Sequence, residues 1–297
     1  MAVPINTETN VTRMELNSEV PTLPPRDAAT VVMLRDGTQG LEVFLVKRHG
    51  LSDVLGGAYV FPGGKLDAAD CDIGHHHHFD RSPALLHSAL AESETDLATA
   101  CGLFVAALRE TFEESGVLFA KPAGASTGSA PQDFHARLAA QQLHLHTSAV
   151  QPWTRWITPR MPSVTNKRFD TRFFIAAMPH GQLAAHDNVE ATESAWLPPR
   201  TALQHYWERK IELAPPQIMS LAQLSRHATV ASALAEASSR PPPVIMPEAF
   251  NENGERVICY PGDSQHSVAL RAMPGPSRLF WRNKRFEPEG GFEALFD

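Results

Sequence analysis

The chain is short of cysteine. Cys71, Cys101 and Cys259 are spread over 297 residues with no CxxC pair. That excludes a disulfide framework and a zinc site, and fits reduced thiols. Long apolar runs are missing as well; none approaches the ~18 residues that span a bilayer. The polar N-terminus has no signal-peptide core, and the last residues, Ala-Leu-Phe-Asp, are not a Ser-Lys-Leu type address. The cytoplasm is the expected location, with no membrane partner. Blocks of Lys and Arg are absent too, since the run at 282–285 is short and broken by Asn283. With a formal net charge of −7, no nucleic-acid footprint is expected.

What is present suits a globular protein. Hydrophobic residues make up 43%, ample for a core, and the length fits one large domain or two small ones. Residues 1–26 are polar and carry Pro21, Pro24 and Pro25, the pattern of a mobile leader. Two apolar runs at 28–34 and 41–47 flank Asp36-Gly37 and Gly40, which predicts a β-hairpin. Ser82-Pro83 has the form of N-cap and N1 for a short helix to about residue 91. Leu97, Cys101, Phe104, Leu108 and Phe112 recur at helical spacing and predict a helix over about 96–115 with one buried stripe. Ser93 or Thr95 would cap it. Gly102 costs a helix about 1 kcal/mol relative to Ala, so a start after that residue is open.

Further on, residues 121–131 read as a linker, 134–145 as a helix and 168–178 as a strand. In that strand Arg168, Asp170 and Arg172 alternate with aromatics, so they share a face. Helices are expected at 200–207, 215–226 and 228–238. From Pro241 the character changes to a Pro-rich link and a β-hairpin tail, placing a boundary near 239.

The chemistry concentrates in Arg109-Glu110-Thr111-Phe112-Glu113-Glu114-Ser115-Gly116-Val117. Glu110, Glu113 and Glu114 stand at i, i+3 and i+4, on one helix face. Such like-charge pairs cost a helix roughly 0.2–0.5 kcal/mol each; a hard divalent cation with oxygen ligands reverses that sign. Glu110 lies about 200° from Leu108 at 100° per residue, so the carboxylates oppose the core stripe. Arg109 can pair with Glu113 at i, i+4, and Gly116 can end the helix in the left-handed conformation. A solvated acidic helix end is the plain alternative. The upstream partner Phe61-Pro62-Gly63-Gly64-Lys65-Leu66-Asp67 shifts the balance.

Gly64, the acid Asp70, and then Arg-Glu-x-x-Glu-Glu-x-Gly-Val resemble the Nudix box. The family pattern has seven residues between acid and Arg, where residues 71–108 intervene here, and Asp70 replaces the usual Glu. An interrupted box, with Trp156-Ile157-Thr158-Pro159 and Arg168-Phe169-Asp170-Thr171-Arg172-Phe173-Phe174, resembles the branch containing the peroxisomal coenzyme A diphosphatases. The resemblance runs from about residue 27 to 203. It implies an α/β fold, a Nudix-type α/β/α sandwich with a mixed sheet and the box as loop–helix–loop, here with a C-terminal extension. The implied organisation is a leader at 1–26, a Nudix domain at 27–238 with a surface insertion at about 71–95, and the tail at 239–297.

By resemblance, Glu110, Glu113, Glu114 and the Gly63 carbonyl would hold Mg²⁺ or Mn²⁺. Glu113 is favoured as general base, oriented by Arg109. Glu190, just before Trp196, would add a ligand or base, with Glu193 as its rival. Arg48 would lie near the substrate phosphates, and Arg168 and Arg172 are candidates for a further phosphate. The implied partner is a small nucleotide-diphosphate, coenzyme A or its acyl thioesters foremost. NADH, ADP-ribose, a catalytically silent nucleotide-sensing module and a homodimer stay open. The run His75–His78 is given little functional weight.

Overall fold

The computed structural model describes residues 23–50, 55–122, 133–141, 143–161 and 167–297. The expected leader therefore lies outside the described residues up to position 22, and the expected linker lies outside them at 123–131. The expected hairpin forms. β1 (Arg26–Gly37) and β2 (Gly40–Arg48) pair antiparallel, Leu34 opposite Val43. Gly40 turns the corner at φ +108°, a conformation that costs glycine little. Arg26, expected at the end of the leader, begins β1.

Next come β3 (Tyr59–Val60) and β4 (Gly63–Lys65). The insertion follows, with 3-10 turns at Ala68–Cys71 and Ile73–His78, and α1 (Pro83–Leu90), capped by Ser82. Then α2 (Leu97–Ser115) starts at Asp96, whose carboxylate accepts the Thr99 N–H, and stops at Gly116 with φ +72°. Asp96, rather than Ser93 or Thr95, is the cap. The helix also runs straight through Gly102. A Cβ there would meet Cys71 Sγ at 2.6 Å and Cys71 Cα at 3.2 Å, so the glycine is an approach site for the insertion's first turn.

The expected helix at 134–145 divides into α3 (Phe134–Gln141) and β6 (Leu143–Leu145), which pairs with β5 (Ala120–Pro122). The main sheet resumes with β7 (Gln151–Ile157), β8 (Phe169–Ala177) and β9 (Ala191–Leu197). After these lie α4 (Pro199–Trp207), α5 (Pro215–Leu224) and α6 (Val230–Ser238). Short β10 (Val244–Ile245) adds to β7. A separate antiparallel sheet holds β11 (Glu248–Glu252), β12 (Glu255–Cys259), β13 (Arg278–Arg282) and β14 (Arg285–Glu287).

The main sheet is mixed, in the order β10-β7-β8-β1-β2-β3, with β4 on β1 and β9 on β2. Side chains alternate across it. Val31, Met33, Phe44 and Val46 face α1 and α2, whereas Val32, Leu34, Val43 and Leu45 face α4–α6. Two expectations change here. The C-terminal region is not a hairpin tail, because Ile258, Tyr260, Leu279 and Phe286 are buried in the same core as Val32 and Ile175. Nor is the insertion a mere surface excursion, because Leu86 and Leu90 of α1 join the core under α2.

Gly102→Ala tests the helix–insertion contact. Helix propensity alone would add about 1 kcal/mol, but overpacking against the Cys71 backbone is expected to cost about 1–3 kcal/mol. A lower urea midpoint is the expected result; a higher one would show that the 3-10 turn gives way freely.

Candidate active site

The glycine loop and α2 meet tightly. Gly63 N–H donates to Glu114 Oε2 at 3.0 Å. A Cβ on Gly64 would overlap the Glu110 carboxylate, and one on Gly63 would collide with the Ala29 carbonyl. Neither glycine takes a positive φ, so their smallness serves close approach alone. Arg109, 5% exposed, ties the two halves together. Its Nε and Nη2 donate to the two oxygens of Asp70, both at 2.9 Å, and Nη2 also donates to the Lys65 carbonyl at 3.0 Å. Its Nη1 donates to Glu110 at 2.8 Å and to Glu113 at 2.9 Å. The 3-10 turn that presents Asp70 is closed by a capping box with Asp67.

The carboxylates are poised for a counter-charge. Burial pushes Glu110 up to about 7 against the pull of Arg109, with Glu113 and Glu190 adding repulsion. Burial pushes Glu114 up to about 8, against the Gly63 N–H and Arg48 and reinforced by Glu110 and Glu190. Arg48 Nη1 stands 4.0 Å from Glu114 Oε1. Among the described residues, no three His, Cys, Asp or Glu side chains already converge as a ligand set; Arg109 engages Glu110 and Glu113, and the glycine loop engages Glu114. An oxygen-rich, repulsive and buried cluster of this kind fits a hard divalent ion.

A cavity of about 810 Å³ opens on these groups, lined by Arg48, Gly63, Gly64, Glu110, Glu113 and Glu190. Glu190 is placed by the Asp187 carboxylate, which accepts the N–H groups of Val189, Glu190 and Ala191. Its rival Glu193 is bonded to Lys47 and Tyr59, both at 2.7 Å. The cavity floor is the β1–β8 pair: Arg26, Ala28 and Thr30 beside Phe169, Thr171 and Phe173. Phe61, Trp156 and Thr158 flank it, and Pro215, Pro247 and Ile258 come from α5 and the C-terminal strands.

The family model described as the NUDT19 Nudix domain matches residues 78–224, a stretch that contains α2, β7 and β8. The chain has the Nudix fold. It is 26% identical over 238 residues to acyl-coenzyme A diphosphatase NUDT19 of Xenopus laevis, covering 66% of this chain and 63% of that protein. Against the Homo sapiens protein of the same name the figures are 28%, 65% and 62%. The chain thus spans somewhat under two thirds of these relatives' length. Among solved structures, a NUDIX hydrolase from Alicyclobacillus acidocaldarius is 26% identical with a TM-score of 0.59, over 72% of this chain and 97% of that one.

Two expected site residues of this chain lie elsewhere. On β8 the odd-numbered side chains face the cavity, so Arg172 faces away, 3% exposed. Its guanidinium is taken by Glu92 of the insertion, at 3.0 Å from Nε, and by Asp27. Arg168 donates to the Thr158 carbonyl at 3.1 Å from Nε and Nη2 and is not among the cavity-lining residues. Arg155 continues the buried network, donating to Asp170 at 2.9 and 2.7 Å. The cations that do line the cavity, besides Arg48 and Arg109, are Arg26, Lys65 and Lys167. Sequence reasoning missed them, assigning Arg26 to the leader. The signal was the alternation Arg26, Ala28, Thr30 in register with β8.

Removing one partner of a buried ion pair strands the other charge. Arg172→Ala is therefore expected to lose about 3–5 kcal/mol of stability, read by chemical denaturation, while Arg168→Ala loses about 1 kcal/mol or less. Equal, small losses would mean that Glu92 finds another partner and that the network does not anchor the insertion.

Proposed function

We propose that the chain is a divalent-cation-dependent diphosphatase acting on a nucleoside diphosphate derivative, coenzyme A or its acyl thioesters above all. Cleavage of the diphosphate would yield adenosine 3′,5′-bisphosphate and (acyl-)phosphopantetheine. The observation that carries this reading is the meeting of Gly63-Gly64 with Glu110 and Glu114 beside a cavity that Gly63, Gly64, Glu110 and Glu113 line. The NUDT19 names of the relatives support the choice of substrate.

Glu110, Glu114, Glu113 and the Gly63 carbonyl would hold Mg²⁺ or Mn²⁺. Such a cation supplies charge neutralisation for the diphosphate and acidifies an attacking water. Glu113 has the exposure to receive that water's proton, its side chain being 36% accessible against 4% for Glu114. Arg109 holds the Glu113 rotamer through Nη1. Glu190 faces the same space from across the cavity and adds a ligand or a second proton acceptor. Arg48 would meet the phosphates. The cytoplasm, expected from the sequence, is part of this proposal. Separately, no described helix is long and apolar enough to cross a membrane.

A panel of diphosphates with Mg²⁺ or Mn²⁺, with products identified by mass, tests the reading. Coenzyme A thioesters are expected to exceed NADH and ADP-ribose in kcat/KM, and chelation should abolish turnover. A metal-independent rate would overturn it. Glu113→Gln is expected to lower kcat by about 10²–10⁴-fold with the fold intact; a loss under tenfold would move the base role to Glu190. Glu114→Gln should instead raise the cation concentration needed for half-maximal rate.

A further inference from the structure

The cavity carries cations in two separate places. Arg48 stands beside Glu114 at the carboxylate end, and Gly63 is paired with Thr30 of β1. Arg26 and Lys167 line the opposite end of the floor, where Arg26 is in register with Phe169. Four residues of β1 separate Arg26 from Thr30, about 13 Å of strand. The two phosphates of one diphosphate cannot serve both ends. Lys65, opposite Ala28 on β4, lies between them.

The far end is otherwise built for a flat ring. Phe169 faces the cavity there, with Thr158 and Pro159 beside it and Pro247 just past β10. The Phe169 backbone is held by Thr158: its N–H donates to Thr158 Oγ1 at 3.0 Å and its carbonyl accepts the Thr158 N–H at 2.8 Å.

We propose that this end is a nucleotide subsite in which Arg26 and Lys167 hold a phosphate borne on the substrate's ribose while Phe169 stacks on the base. The substrate class is then a nucleoside diphosphate derivative with a third phosphate on the sugar. This deepens the proposed activity and rests on it for orientation: the diphosphate lies toward Glu110, the base toward Arg26.

Binding of reaction products reads the subsite without turnover. By calorimetry on the full chain, adenosine 3′,5′-bisphosphate is expected to bind about 10- to 100-fold more tightly than 5′-AMP, the range for hydrogen bonds to a charged group. The double variant Arg26→Ala, Lys167→Ala should bring that ratio close to one, and Arg26→Lys should restore part of it. Phe169→Leu, which keeps an apolar side chain but removes the ring, should weaken both nucleotides by about fivefold or more and leave their ratio unchanged. An unchanged ratio in the double variant would overturn the proposal. So would the loss falling on phosphopantetheine instead, which would place the other arm of the substrate here. If no coenzyme A derivative is turned over, the diphosphatase reading fails, and the product-binding ratio still decides the subsite.

Discussion

The structure depends on the Arg109 guanidinium. A planar five-donor fork can satisfy several acceptors at once in fixed directions. Here it binds both oxygens of Asp70, the Lys65 carbonyl, Glu110 and Glu113. Asp70 stands before the long insertion and the glutamates after it, so one side chain restores the proximity that the insertion removes from the sequence. Loop closure grows slowly with length, ~0.6 kcal/mol per doubling, so separation along the chain costs little once that contact forms. The fork also sits 5% exposed beside a 1% exposed Asp70. Breaking such a pair leaves an unpaired buried charge, at about 3–5 kcal/mol.

From that clamp follows the passage of the carboxylates through the sheet's edge. α2 packs on the Ala29 and Val31 face, whereas the cavity lies over Ala28 and Thr30 on the opposite face. Glu110 and Glu113 nonetheless line the cavity. They reach it beside Gly63 and Gly64, where no Cβ stands in the way. The helix keeps a continuous apolar stripe for the core, and the acidic face emerges only at this gap. Burial there pushes Glu110 and Glu114 well above the ordinary carboxylate range, a cost that a bound cation would offset.

Local rules made much of this legible in sequence. The 3.6-residue stripe of α2, its glycine stop, the Ser82-Pro83 start and the β1–β2 hairpin all follow from spacing and caps within a few residues. The face of β8 did not. Alternation grouped Arg168, Asp170 and Arg172, but nothing local says which side of a strand will be roofed by helices. The acids that claim Arg172, Glu92 and Asp27, come from two distant segments. Spacing from Trp196 alone prefers Glu190 to Glu193, with no view of the partners of either. Glu193 pairs with Lys47 across the β2–β9 register and so meets Lys47 and Tyr59, which leaves Glu190 on the loop to face the cavity.

The C-terminal strands carry the same lesson into recognition. Composition marks residues after Pro241 as different, yet Ile258, Tyr260, Leu279 and Phe286 share a core with β1, β2 and α4–α6. The Trp156 ring meets Tyr260 edge-on at 6.0 Å, and Trp156 itself lines the cavity. Pro247 and Ile258 do so as well. A wall made by the last strands is therefore rigid only as long as the shared core is packed, because close-packed side chains transmit displacement rather than absorb it. The proposed chemistry would sit on α2 and the glycine loop, and one wall of the space in front of it is made by Pro215, Pro247 and Ile258, a hundred positions or more later. Folding of the final sheet and the shape of that cavity wall are thus one packing problem.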